Sequence, residues 1–334
     1  MTKKIISLTL CVVLIACSML CLCSCKNKKT DEFPVTVGGV TLESEPNNIV
    51  VLSPELIDII SCIRYDVKII GRSVECDQEF LSVIPTVGSE TDPDTSAIIA
   101  NKADLVIVSK PLPAAAANSL KSAKIPVATF NIAKNFTELK KLYTDLGTLL
   151  GGKTTGAQQG VRYYDELFAS LKRFQDAVPN DVLLTACYLY LDENGTLCTF
   201  TNGSIESKIF AYNGAKNVLD TQDTPQVDLQ YLRLSTPQFI FVNDKTVIEY
   251  LKSEDTLKNM YAIMYDKLFV IRKADFDRHG DTFQTIVFEM MDYMFSKEKE
   301  EATADEATPD QIEPNTNEIA TVEGFSEETA EILY

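Results

Sequence analysis

Residues able to do chemistry are scattered along this chain, and no group of them forms a catalytic constellation. There is no Gly-x-Ser-x-Gly elbow, no glycine-rich phosphate loop and no His-Glu-x-x-His helix, so the residues point to binding, not to an enzyme. His279 is the single histidine. A zinc or manganese centre draws several His and carboxylate ligands onto one ion, which argues against a metal site. A lone imidazole can still ligate haem iron axially, and Asp277-Arg278-His279-Gly280 precedes the last helical stretch. Arg72 and Arg278 carry paired N–H donors suited to carboxylate, phosphate or iron-bound oxygens. Glu55, Ser73, Ser89, Lys110, Tyr188, Tyr190, Asn202 and Asn243 complete the candidates, each within or near a loop that borders a short apolar run.

Those runs are the elements that must position them. Phe33 to Leu42 alternates around Gly38-Gly39 and reads as a hairpin. Apolar runs at Ile49–Leu52, Val67–Ile70, Leu105–Val108 and Val127–Phe130 read as strands covered on both faces. Helical patterns starting at Pro54, Thr95, Ala114 and Asn135 separate or follow them, the last stopping at Gly151-Gly152. From Thr154 to Ala177 one helical pattern keeps Val161, Tyr164, Leu167, Phe168, Leu171 and Phe174 on one face. A second α/β series follows, with strands at Val182–Ala186, Leu197–Phe200, Phe239–Val242 and Leu268–Ile271. Helices at Ile205–Tyr212, Leu229–Leu234, Val247–Leu251 and Thr282–Phe295 complete it. The stretch from Ser96 to Val108 is echoed by Gln230 to Val242: a short helix, a polar break, then a buried strand. The expected fold is α/β: two doubly wound lobes (33–152 and 179–296) joined by one long helix (153–178), with a ligand cleft between them. Ligands of open α/β sheets sit at the carboxyl ends of the strands, which is where the candidates fall.

The ends of the chain set its address. Lys3 and Lys4 precede an apolar run from Ile5 to Leu22 that closes in Leu22-Cys23-Ser24-Cys25. This has the form of an export signal (1–25) whose end resembles the bacterial lipobox, with Cys25 the acylated first residue of the mature chain. The expectation is a lipid-anchored protein on the extracytoplasmic face of a membrane, with 26–32 as a polar tether. Outside the signal only Cys62, Cys76, Cys187 and Cys198 remain, too scattered for a disulfide framework or a zinc pattern. They read mostly as buried thiols. The net charge is −17, and residues 297–334 hold twelve acids against two lysines. That tail is too poor in apolar residues to offset its ordering entropy and reads as disordered, with a short helix at Phe325–Tyr334. An acidic chain is a poor partner for nucleic acid.

The order Ile49-Val-Val-Leu-Ser-Pro-Glu55, Lys68-Ile-Ile-Gly71, Ile98-Ile-Ala-Asn-Lys-Ala-Asp-Leu-Val106 and Ile125-Pro-Val127 resembles the solute-binding proteins of iron–siderophore, haem and vitamin B12 ABC importers. The resemblance covers residues 33 to 296. It implies a monomer that binds a bulky metal chelate, needs no cofactor of its own, and hands the chelate to an ABC permease with its ATPase. It also implies a docking glutamate on each lobe. At the matching positions stand Ser96 and Gln230, with Asp92, Asp94, Asp223 and Asp228 nearby. The alternative is a surface lipoprotein of the same fold used for sensing or partner binding.

Overall fold

The structure is a computed structural model that describes residues 31–178 and 183–295. The lipobox, most of the tether, the link at 179–182 and the acidic tail lie outside the described residues.

The hairpin forms as expected: β1 (Val35–Val37) pairs antiparallel with β2 (Val40–Leu42), with Gly38 and Gly39 at positive φ in the turn. The chain then enters β3 (Ile49–Val51) and α1 (Pro54–Cys62). Ser53 caps α1 by accepting from the Leu56 amide at 3.3 Å, and Pro54 supplies a preset φ in the first turn. β4 (Ile69–Arg72) starts two residues later than its apolar run suggests. Asp66–Lys68 forms a 3₁₀ turn instead, and the Lys68 ammonium reaches the Leu150 carbonyl at 2.8 Å. The pattern continues through α2 (Thr95–Ala100), β5 (Leu105–Val108), α3 (Ala114–Ser122) and β6 (Val127–Thr129). The four strands make one parallel sheet in the order β4-β3-β5-β6. All residues of β3 and β5 are fully covered, which explains their uninterrupted apolar runs.

Two long helices follow, α4 (Phe136–Gly151) and α5 (Ala157–Ala177). Gly151-Gly152 is the helix stop that the sequence suggests: α4 ends at Gly151, and Gly152 caps it at positive φ. The chain passes through a π-type turn, Gly152–Gly156, straight into α5. The glycines serve close approach: a Cβ on Gly156 would lie 2.0 Å from the Gly147 carbonyl oxygen, and one on Gly160 would lie 2.1 Å from that of Tyr143. Phe168 of α5 meets Phe136 of α4 on one side, with ring centroids 5.1 Å apart. On the other it meets Tyr212 and Phe283 of the second half at 5.9 and 6.4 Å. The linking helix thus joins the halves through packed rings.

The second half is built on β7 (Leu184–Leu191), longer than its apolar run. β8 (Leu197–Cys198), α6 (Ile205–Tyr212) and β9 (Ala215–Asn217) follow, then α7 (Leu229–Ser235), β10 (Phe239–Val242) and α8 (Lys245–Ser253). The last elements are α9 (Tyr261–Met264), β11 (Leu268–Val270), α10 (Lys273–Phe276) and α11 (Asp281–Phe295). β9 pairs parallel with the start of β7, and β7, β10 and β11 run parallel in that order. The sequence echo is therefore topological. β5 lies between β3 and β6 as β10 lies between β7 and β11, and each is fed by a short helix. Cys62, Cys76, Cys187 and Cys198 are all buried and free.

Candidate site at the strand ends and the seam between the sheets

In the first half the strand ends carry a polar rim. The Ser53 hydroxyl donates to Glu55 at 2.5 Å. Ser73 is buried against Cys76, Oγ to Sγ 3.3 Å. Ser89 accepts from the Asp92 amide at 2.9 Å. The Glu90 carboxylate takes the Ser109 hydroxyl at 2.8 Å and the Lys110 amide at 3.2 Å, leaving Lys110 exposed.

Arg72 does not behave as an anion grip. Its guanidinium donates to the main-chain carbonyls of Leu81, Ile84, Ser73 and Cys76, the Cys76 bond being 2.6 Å. It organises the loop that follows β4. The strand runs into irregular backbone whose carbonyls lack ladder partners, and a planar fork of donors satisfies them.

Arg278 is corrected in the same way. It is 3% exposed and pairs with Asp275 at 2.9 Å and with Asp77 of the first half. Arg272 joins the same two acids, reaching Asp275 at 2.7 Å. Partial burial works against ionisation of Asp77, but hydrogen bonds from Arg272 and Arg278 hold its carboxyl below the usual range. The loop after α10 is gripped from two further elements. Asp58 of α1, 1% exposed, accepts from the Gly280 amide at 2.7 Å and the Thr282 hydroxyl at 2.6 Å. Burial pushes its carboxyl up to about 6 despite those bonds. Tyr143 of α4 donates to the His279 carbonyl at 2.7 Å. The His279 ring is 2% exposed, with Nε2 3.2 Å from Glu206. An imidazole so enclosed cannot meet haem iron, so that expectation falls. Arg278 and His279 belong to a seam that holds the two halves together.

The second half presents an aromatic wall. Tyr188 is fully buried and donates to the Ile271 carbonyl at 2.9 Å, so it backs the wall and is not a ligand contact. It stacks on Phe200 at 4.8 Å and 13° and meets Phe276 at 4.4 Å. Tyr190 is half-buried beside Phe200, and the Lys273 ammonium stands 5.6 Å from the Tyr190 ring and 2.9 Å from Asp277. Asn243 accepts from the Lys273 amide at 2.7 Å, and Asn202 is exposed. Burial raises the Asp277 carboxyl against the pull of Lys273, with Glu206 and Glu55 adding to the rise. Glu55 of the first half thus acts electrostatically on an acid of the second. Among the described residues no group of three or more His, Cys, Asp or Glu can hold a metal ion.

The sequence reading missed Lys273, Phe200, Asp77 and Asp58. One signal was present: Asp58 interrupts Leu56-Ile57-Asp58-Ile59-Ile60, and an acid inside an apolar run needs a specific partner. Ser96 and Gln230 are both exposed second residues of short helices, α2 and α7, whose N-caps are Asp94 and Asp228.

The family model described as periplasmic binding protein matches residues 49–274, and the chain belongs to that family. No curated protein sequence matches the chain. Among solved structures, the periplasmic haem-binding protein HutB of Vibrio cholerae aligns with a TM-score of 0.60 at 14% identity, covering 74% of this chain and 98% of that one. The periplasmic vitamin B12-binding protein BtuF of the same organism gives 0.53 at 16% identity, over 76% and 98%. An ABC-type Fe3+-hydroxamate transport system from Saccharomonospora viridis gives 0.56 at 17% identity, over 79% and 99%. These likenesses place the two-lobed fold.

Proposed function

We propose that the protein is a lipid-anchored extracytoplasmic solute-binding protein, acylated on Cys25, that serves an ABC importer of a bulky metal chelate: an iron–siderophore, haem or cobalamin. The observation that carries the reading is the pair of topologically equivalent parallel sheets, with an aromatic wall on one set of strand ends and a polar rim on the other. A flat or bulky body would rest on Tyr190 and the edge of Phe200. Glu55, Ser89, Lys110, Asn202, Asn243 and Lys273 would hold its polar groups. The fold of the haem, B12 and hydroxamate proteins named above supports this ligand class. A single acyl chain gives marginal membrane binding, so the mature N-terminus would carry more than one.

The uncharged Ser96 and Gln230 favour a second reading, a surface lipoprotein that keeps the fold for sensing or partner binding. A thermal-shift screen of the full chain with ferric siderophores, haem and cobalamins separates the two. A ligand held at 100 times its Kd stabilises by about 2.7 kcal/mol, which moves Tm by roughly 5–10 °C at this size. No shift with any of them favours the second reading.

A further inference from the structure

At the strand ends the cations already have partners. Arg272 and Arg278 share Asp77 and Asp275, and Arg72 is turned into four carbonyls. Lys110 stands beside Glu90, which accepts its amide at 3.2 Å. Lys208 of α6 donates to the Asn202 side chain at 3.3 Å. Lys273 is the cation at the aromatic wall: its ammonium lies 5.6 Å from the Tyr190 ring centre and 5.7 Å from that of Phe200, and it pairs with Asp277 at 2.9 Å. The ring faces, negative by their quadrupole, thus already hold one cation that a carboxylate matches.

Two further carboxylates stand at the same place, one from each half. Glu55 accepts from the Ser53 hydroxyl, and Glu206, in the first turn of α6 and 16% exposed, meets the His279 ring at 3.2 Å. Among the described residues neither is ion-paired with a lysine or arginine. Burial works against ionisation of Glu206, but the His279 ring holds its carboxyl below the usual range, so it keeps its charge at neutral pH. Both Glu55 and Glu206 act on Asp277, and Glu206 and Asp277 add to the rise that burial imposes on the Tyr190 phenol. Asp244 does not add to this pair in the same way, because it caps α8 and accepts from the Thr246 amide at 2.8 Å. With Asp277 matched by Lys273, the wall and the rim opposite it are left with an excess of negative charge.

We infer that the site selects chelates by charge: it takes those of zero or positive net charge and rejects anionic ones, with Glu55 and Glu206 setting the preference. This rests on the reading of the protein as a binder of metal chelates, and it names the class within that reading. A ferric ion held by three hydroxamates is neutral, and a cobalamin surrounds its metal with amide arms. Three catecholates leave a ferric chelate strongly anionic, and haem carries two carboxylates. An anionic group brought onto the wall would meet Glu55 and Glu206 with the guanidinium groups of Arg72, Arg272 and Arg278 engaged elsewhere, and like charges juxtaposed in a desolvated site oppose binding. An amide N–H or an ammonium on the chelate finds carboxylate acceptors there instead.

The test titrates the full chain with matched probes. One set is a linear ferric trihydroxamate with its pendant amine free, acetylated or succinylated, hence cationic, neutral or anionic. The other is a cobalamin with its amide arms intact or with one hydrolysed to a carboxylate; haem is a further anionic probe. In whichever scaffold binds, the neutral or cationic member should bind at least about tenfold tighter than the anionic one, and the ratio should shrink as salt is raised. Glu55→Gln and Glu206→Gln should each reduce the ratio, and together bring it within about threefold, with Tm reporting that each variant is folded. A smaller ratio in the wild type, haem as the tightest probe, or a ratio untouched in folded variants overturns the charge selection and leaves the chelate reading standing. Binding of no probe sinks the chelate reading itself.

Discussion

Replacing Arg278 by alanine tests whether the seam is structural. The guanidinium is 3% exposed and shares Asp77 and Asp275 with Arg272. Removing one partner of a buried ion pair costs about 3–5 kcal/mol, because the remaining charge stays in poorly solvated surroundings. Asp77 is 44% exposed and keeps Arg272, so the lower end applies, about 3 kcal/mol. At 2–4 °C per kcal/mol for a protein of this size, Tm should fall by roughly 6–12 °C. Scanning calorimetry of the wild type, Arg278→Ala, Asp77→Ala and the double variant measures this. The double variant should lose less than the sum of the two single losses, because the pair is already broken. Ligand affinity, measured below the lowered Tm, should stay within about threefold. A Tm unchanged within 2 °C, with affinity lost tenfold or more, would refute the reasoning and return Arg278 to the ligand.

Three further outcomes follow from the same contacts. Asp58 has a folded value of about 6, above the roughly 3.9 of an unfolded aspartate, so folding takes up a proton in between. Its share of stability is full below about pH 4 and is lost as pH rises through 6. The gap in urea-unfolding free energy between wild type and Asp58→Asn should therefore shift by about 2 kcal/mol between pH 4.5 and 7.5, in favour of Asn at the higher pH. A gap that does not move with pH contradicts this, whatever Arg278, Asp281 and the other groups around Asp58 contribute to both proteins. Gly156→Ala drives a methyl into the Gly147 carbonyl and should cost at least about 2 kcal/mol by forcing α4 and α5 apart; denaturant titration checks it. Tyr190→Ala should weaken chelate binding at least about tenfold, or 1.4 kcal/mol, with Tm nearly fixed because the ring is only half-buried; calorimetric titration reads both.

How much was legible depended on whether a residue's role is local. β3, β5 and β10 were plain in the sequence because strands covered on both faces carry unbroken apolar runs. The echo of Ser96–Val108 in Gln230–Val242 survived into equivalent sheet positions for the same reason. β9 was not legible: Ala215-Lys216-Asn217 has no apolar run and is held by pairing with β7. Gly151-Gly152 marked the end of α4, but the π-type turn that leads on into α5 and the close approach at Gly156 and Gly160 depend on a neighbouring helix that the sequence does not show. Arg72 and Arg278 were placed at the right loops and given the wrong task. Position along the chain says that a guanidinium is near a strand end; only three-dimensional neighbours say whether it turns to solvent, to four carbonyls or to two acids. The acid pair Asp275 and Asp277 beside Arg278 was the available hint.

The central claim is that a bulky chelate binds across the two sets of strand ends. Hydrogen exchange of the full chain, with and without the chelate that gives the largest thermal shift, tests it most directly. The prediction is slowed exchange in the segments around Ser53–Glu55, Ser89–Thr91 and Ser109–Lys110 of the first half, and around Tyr190, Phe200–Asn202 and Asn243 of the second. Protection on one half only, or confined to the outer faces of α4 and α5, would contradict it.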